Sequence, residues 1–223
     1  MFKYAIEFSK KGTICYISHL DLMRVFKRAF KKAGIKQAYS QGFNPHPKMG
    51  FAQPLSLGYW GLKEYMEFET TEDYEPAYLE KTLSDMMPEG LDIISCKRFE
   101  GMKKNMAAMT EAAEYMIAIP LKEEFALTGE QMRDSFAAQE NIIRLKKQKR
   151  KKELVGVDIK PMIRDIIFTP EKEILFITAE LDSGSSSNLS PELLIDAVEE
   201  FFGIETPRNE IEVMRTGIKF QNM

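Results

Sequence analysis

A change of hydrophobic period near the N-terminus constrains this chain more than any other feature. Residues 2–8 place Phe2, Tyr4, Ile6 and Phe8 on one parity, with Lys3 and Glu7 on the other. Such alternation lines one face of a strand with apolar side chains. From Leu22 onward the apolar residues recur at helical spacing instead, through Phe26, Ala29 or Phe30, and Ala33. Ser18 and Asp21 resemble a capping box with Asp in place of Glu. Gly34 stands where a left-handed residue ends a helix. The spacing predicts a helix over 19–33, with Thr13 to Ile17 extending or pairing with the opening strand.

Residues 39–58, YSQGFNPHPKMGFAQPLSLG, hold three prolines and three glycines and read as a loop-rich stretch. Strand patterns at 65–69 and 91–99 flank a helical segment at 74–87, whose Pro76 suits a first turn. Residues 1–99 thus run strand, helix, strand or hairpin, strand, helix, strand. That is the split βαβ plan, with both helices on one sheet face and the other face free. Residues 100–112 read as a connector. A similar order then returns: strand 115–119, a helix from Thr128 to about 139, strands at 142–147, 154–159, 163–168 and 174–181, a helix from Ser190 and a strand at 211–220. The expected class is α+β, with two tandem ferredoxin-like (βαββαβ) domains and antiparallel sheets. Their expected bounds are 1–100 and 113–223, the second carrying a basic segment at 144–152.

Composition excludes several classes. The chain has 223 residues, 44% of them hydrophobic, and a net charge of −3, so a sizeable core is available and a disordered polybasic arm is not the description. No apolar run approaches the ~20 residues of a membrane span, and the N-terminus lacks a secretory pattern. Cys15 and Cys96 alone build no disulfide framework, iron–sulfur site or Cys-rich zinc site. These features predict a reduced, cytoplasmic protein without a membrane partner. Catalytic triads, P-loops and dinucleotide fingerprints are missing from the sequence. Asp158 and Asp165 flank a short charged turn that reads as structural.

Two histidines carry the only unperturbed titration near neutrality. His19 opens the predicted helix, whose positive end disfavours the imidazolium. His46 lies between prolines in Asn44-Pro45-His46-Pro47, which stiffens the backbone and turns the ring toward solvent or a ligand. Together with Asp21 they match no metal-ligand spacing, and no metal is expected. Arg24, Lys27, Arg28, Lys31 and Lys32 occupy the polar side of the helix, with Lys36 and Lys48 following. Arg24 and Arg28, one turn apart, suit a shared grip on an anion. Acidic residues are absent from 22 to 63, where Tyr39, Phe43, Phe51, Tyr59 and Trp60 interleave with the cations. Cations with exposed rings suit single-stranded nucleic acid, where rings stack on bases and cations follow phosphates. The candidate binding set is Arg24, Arg28, Lys31, Gln41, Phe43, Asn44, His46 and Lys48. A second basic segment holds Arg144, Lys146, Lys147, Lys149, Arg150, Lys151 and Lys152, leaving 24 basic against 34 acidic residues elsewhere. Such segregation suits an acidic partner such as RNA, and also a solvated hairpin tip.

Three segments, YISHLDLMRVFKRAFKKAGI at 16–35, the stretch at 39–58 and VDIKPMIRDI at 157–166, closely resemble the bacterial radical SAM-linked protein family, a domain family of unknown function. The likeness covers nearly the whole chain. Members of that family occur as separate chains or fused to a radical S-adenosylmethionine enzyme with a cobalamin-binding domain. Their genes often neighbour those of a ribonuclease and of large-subunit ribosomal proteins. The resemblance implies a radical SAM enzyme in trans and an RNA or ribosomal context. It implies no cofactor on this chain. The iron–sulfur cluster, S-adenosylmethionine and cobalamin belong to the partner enzyme.

Three functions remain open on these grounds. One is a non-catalytic accessory or substrate-presenting protein that binds RNA through its basic patch. Another is a metal-independent RNA endonuclease, with His19 or His46 as acid or base and Arg24 or Lys48 stabilising the phosphorane. That reading shares a fold-level analogy with CRISPR-associated repeat-cleaving endonucleases. The third is a protein-interaction scaffold using the free sheet face.

Overall fold

A computed structural model describes residues 1–99, 101, 104–147 and 154–221. It is an α+β structure whose paired strands run antiparallel. The chain divides into two compact units. Residues 1–110 and 215–223 form the first, and residues 111–214 form the second. The last residues of the chain are thus grouped with its beginning.

In the first unit the order is β1 (Phe2–Lys10), α1 (His19–Lys32), β2 (Met49–Phe51), β3 (Trp60–Thr70), α2 (Pro76–Ser84), β4 (Leu91–Arg98) and α3 (Met106–Met109). Strand β1 lies between β4 and β3, and β2 pairs with the far side of β3. Tyr4, Ile6 and Phe8 point from β1 into a core completed by Leu22, Phe26 and Phe30 of α1, Met66 and Phe68 of β3, and Leu79 and Leu83 of α2. The period-two and helical-period patterns therefore meet in one layer of helices on one sheet face.

Helix α1 begins where Ser18 Oγ accepts the Asp21 amide at 3.1 Å. Gly34 follows its end at φ 71°, a left-handed conformation that is cheap only for glycine.

Several expectations are corrected. Gly12–Tyr16 winds into a 3₁₀ turn rather than extending a strand. The strand or hairpin expected after the first helix is the short strand β2 within the loop-rich stretch, and the connector, expected to be partly helical, carries α3. The opposite sheet face is not bare. Ala5 and Tyr65 on that side pack against Phe99, Met106 and Met109. A scaffold that works through an open sheet face loses part of its surface in this unit.

The second unit runs β5 (Thr110–Pro120), α4 (Gly129–Ala137), β6 (Ile143–Lys147), β7 (Leu154–Asp158), β8 (Ile163–Glu171), β9 (Ile174–Asp182) and α5 (Pro191–Phe202). Strand β10 (Glu212–Phe220) leads back into the first unit. Strand β9 lies between β5 and β8. Phe136 of α4 stacks or packs edge-on against Phe168, Phe201 and Phe202, closing this core. Thr128 and Gln131 form a complete capping box on α4. Strands β6 and β7 form a separate two-stranded ribbon.

Phe26 is fully buried and touches the rings of both Phe8 and Phe51. Replacing it with Ala should lower unfolding free energy in urea by about 3–5 kcal/mol, the range for a large ring lost from a packed core. A loss below ~1 kcal/mol would contradict this packing.

Candidate nucleic-acid interface

The prolines and glycines of 38–48 build a narrow hairpin. The Ala38 amide donates to the Glu69 carbonyl at 2.8 Å, and the Lys48 amide donates to the Ala38 carbonyl at 2.8 Å. Further out, the Ser40 amide donates to the His46 carbonyl at 2.8 Å, and the His46 amide donates back to Ser40 Oγ at 3.0 Å. Tyr39 bridges Pro47. The backbone is thus satisfied internally, and Gln41, Phe43, Asn44 and His46 are left exposed at the tip. Phe43 has a relative exposure of 112%. A large ring so placed contributes nothing to the core.

Helix α1 packs on the strand that this hairpin feeds. The rings of His19 and Phe26 lie 5.1 and 5.7 Å from that of Phe51 in β2. The other end of α1 enters the hairpin directly through Gly34 and Ile35. Helix α1 therefore turns its apolar face to β2 and a polar edge to solvent. On it Arg28, Lys31 and Lys32 are exposed, as is Lys36 just beyond, and among the described residues no ion pair engages them. Arg24 and Lys48 are occupied. Arg24 pairs with Asp21 at 2.7 Å, so the expected joint grip with Arg28 competes with that carboxylate. Lys48 pairs with Glu69 at 2.8 Å. Both pairs are partly exposed, where an ion pair holds weakly.

The aromatic residues divide. Phe51 packs with Phe8, Phe26 and His19, and Tyr59 is buried, so neither serves as an exposed ring. Tyr39, Phe43 and Trp60 stay exposed. His19 is half-buried, and burial, helped by the positive Lys10, holds its imidazole below the ordinary pKa. Desolvation thus acts in the same direction as the helix end.

Beneath this edge lies a cluster the sequence reading missed. Lys10 ends β1 with 1% relative exposure and donates to the Cys15 and Ile17 carbonyls at 3.1 and 3.2 Å. Arg215 of β10 is equally buried. Its Nε donates to Glu64 Oε1 at 2.8 Å and its Nη2 to the second carboxylate oxygen. Arg215 also donates to the Gln53 and Pro54 carbonyls at 2.9 and 3.4 Å. Two buried cations thereby fix the loops at 11–18 and 52–59. Gly61 is required beside them, because a Cβ there would stand 2.6 Å from the Glu64 side chain. One signal was legible: Lys10 falls on the buried parity of Tyr4, Ile6 and Phe8. The contact between Glu64 and Arg215, 151 residues apart, was not.

In the second basic segment, Arg144 pairs with Glu200 at 2.8 Å and Lys146 donates to the Asn188 carbonyl at 3.3 Å. Arg144 is thereby tied to the body of the second unit, while Lys146 stays exposed. Nothing is described for the Lys147 side chain, and Lys149, Arg150, Lys151 and Lys152 lie outside the described residues. Among the described residues no three His, Cys, Asp or Glu side chains gather as metal ligands, and no helix is long and apolar enough to cross a membrane.

Residues 3–191 match the model of the family described as "Uncharacterized protein conserved in bacteria (DUF2344)", and the chain belongs to that family. No curated protein matches it. Among solved structures, a chain from the crystal structure of a Cbf5-Nop10-Gar1 complex is similar in fold, with a TM-score of 0.54 and 11% identity. The likeness covers 99% of this chain and 50% of that one, so this chain spans about half its length.

Two outcomes are expected here. Arg215→Ala, which leaves Glu64 buried without its partner, should cost about 3–5 kcal/mol in denaturant unfolding. For His19, NMR titration of the imidazole should give a midpoint below ~6.5. The unfolded chain then binds the proton more tightly than the folded one, so stability is full above ~6.5 and falls as the pH drops toward the folded midpoint. His19→Gln should flatten stability in that window, and a midpoint at or above ~6.5 would contradict the placement of the ring.

Proposed function

We propose that this member of the DUF2344 family is a non-catalytic accessory protein that binds RNA, or an RNA-containing ribosomal substrate, and presents it to a radical SAM enzyme in trans. One observation carries the RNA reading. A hairpin displays the fully exposed Phe43, and the polar edge of the helix that precedes it in the chain displays Arg28, Lys31 and Lys32, which form no ion pair among the described residues. Cations at that edge attract phosphates, and an exposed ring offers a face to an unpaired base. The radical SAM partner is supported by the resemblance of the segments at 16–35, 39–58 and 157–166. Any iron–sulfur, S-adenosylmethionine or cobalamin chemistry is assigned to that partner.

We read the two units as tandem ferredoxin-like folds. The order β4-β1-β3-β2 in the first supports this, as does the recurrence of strand, helix, strand, strand and helix through β5, α4, β8, β9 and α5, with the β6–β7 ribbon inserted. Both cysteines are free and buried, which suits work in the reducing bacterial cytoplasm.

The test is binding of a fluorescently labelled single-stranded RNA, followed by anisotropy over a range of salt. Log affinity should fall linearly with log salt, with a slope of ~0.7 per neutralised phosphate. Arg28→Glu with Lys31→Glu should weaken binding at least about tenfold and remove ~1.4 from that slope. An affinity indifferent to salt, or unchanged in the double variant, would sink the proposal.

A further inference from the structure

The two loops fixed by Lys10 and Arg215 present side chains that no core uses. Tyr16, on the first loop, has a relative exposure of 71%. Leu57 and Trp60, on and after the second, have 63% and 39%, and Leu20, in the first turn of α1, has 64%. The loops are joined directly: the Gly58 amide donates to the Cys15 carbonyl at 3.0 Å, and Tyr16 Cε1 lies 3.7 Å from where a Gly58 Cβ would stand. Pairing of Lys10 with Gly61 sets Trp60 beside the start of the Gly12–Tyr16 turn. Tyr16 is thereby set against the second loop at Gly58, with Leu57 just before and the exposed Trp60 two residues beyond.

That arrangement is costly to build. A buried lysine whose hydrogen bonds go to carbonyls, and a buried arginine–carboxylate pair, both carry desolvation penalties that apolar residues of the same volume would avoid. What the buried charges accomplish is loop immobilisation, and what the loops carry is exposed aromatic area. Contiguous exposed apolar surface on a fixed scaffold marks a binding site rather than a folding need. Aliphatic patches suit protein partners, but two rings at this place suit flat ligands. Leu20, exposed in the first turn of α1, lies on the helix whose later turns carry Arg28 and Lys31. The stretch from 22 to 63 contains no acidic residue that would repel phosphate.

We infer that Tyr16 and Trp60 form a base-stacking platform that makes this protein selective for unpaired RNA over duplex. The inference rests on the RNA reading above and specifies its substrate class. A cationic edge alone accepts either form of RNA. Stacking rings need bases whose faces are free, which a duplex withholds.

Trp60 is the only tryptophan, so its emission reports this place alone. The full-length protein is titrated with oligouridylate of about twelve nucleotides and, separately, with a blunt RNA duplex, while anisotropy of the labelled RNA follows binding independently. Saturable quenching of Trp60 by the single strand, with the duplex binding at least about tenfold more weakly, is expected. Tyr16→Ala and Trp60→Ala should each weaken single-strand binding about tenfold, and Tyr16→Phe should retain it, because the ring rather than the hydroxyl stacks. If the RNA binds without changing Trp60 emission and both alanine variants bind normally, the platform is wrong and the cationic edge stands. Equal affinity for duplex overturns the selectivity. If anisotropy detects no binding of any RNA, the platform falls together with the RNA reading.

Discussion

An arginine and a glutamate sealed from water at opposite ends of the chain organise the first unit. Glu64 lies within β3 and Arg215 in the final strand, and the arginine of this bidentate pair also ties down the Gln53 and Pro54 carbonyls. Lys10 performs the parallel task for the loop before α1. Removing one partner from such a set leaves a charge in a medium that cannot solvate it. The consequence is structural: the C-terminal strand cannot be treated as an appendage of the second unit, and the loops around α1 are held from beneath by ions.

Much of the fold was legible because burial enforces periodicity. Tyr4, Ile6 and Phe8 alternate because one strand face is covered, and Leu22, Phe26 and Phe30 recur because one helix face is. Capping by Ser18 and the left-handed Gly34 fixed the helix ends for local reasons. Strand β2 was harder to see. It is three residues long, lies inside a proline- and glycine-rich stretch and gains its identity only by pairing with Met66 to Phe68. Pairing energy of that kind is non-local and leaves no pattern in a short segment. The 3₁₀ turn at Gly12–Tyr16 was missed for a similar reason, since its residues are β-prone by type but are held by the Lys10 ammonium.

The candidate site was legible in its charges and less so in its rings. Charge segregation depends only on the order of residues, so the run from 22 to 63 without acids was visible at once. Whether a ring is exposed depends on what packs against it. Phe51 and Tyr59 belong inside, whereas Phe43 and Trp60 face out, and nothing in their immediate sequence distinguishes them. Tyr16 escaped notice because it precedes the cationic helix and enters the surface only through the approach of Gly58. Arg144 and Lys146, read as facing RNA or as a solvated hairpin tip, engage Glu200 and the Asn188 carbonyl, with Lys146 still exposed. Composition located charge but could not say which way a side chain turns.

The central claim is that unpaired RNA lies along the α1 edge of the first unit, with its bases against exposed rings. Ultraviolet cross-linking of the full-length protein to oligouridylate, with the attachment sites mapped by mass spectrometry, tests it most directly. The account predicts adducts on peptides containing Tyr16, Trp60 and the Phe43 hairpin, competed away by excess single strand and not by duplex. Adducts confined to residues 111–214, or none under conditions where the RNA is bound, would contradict it.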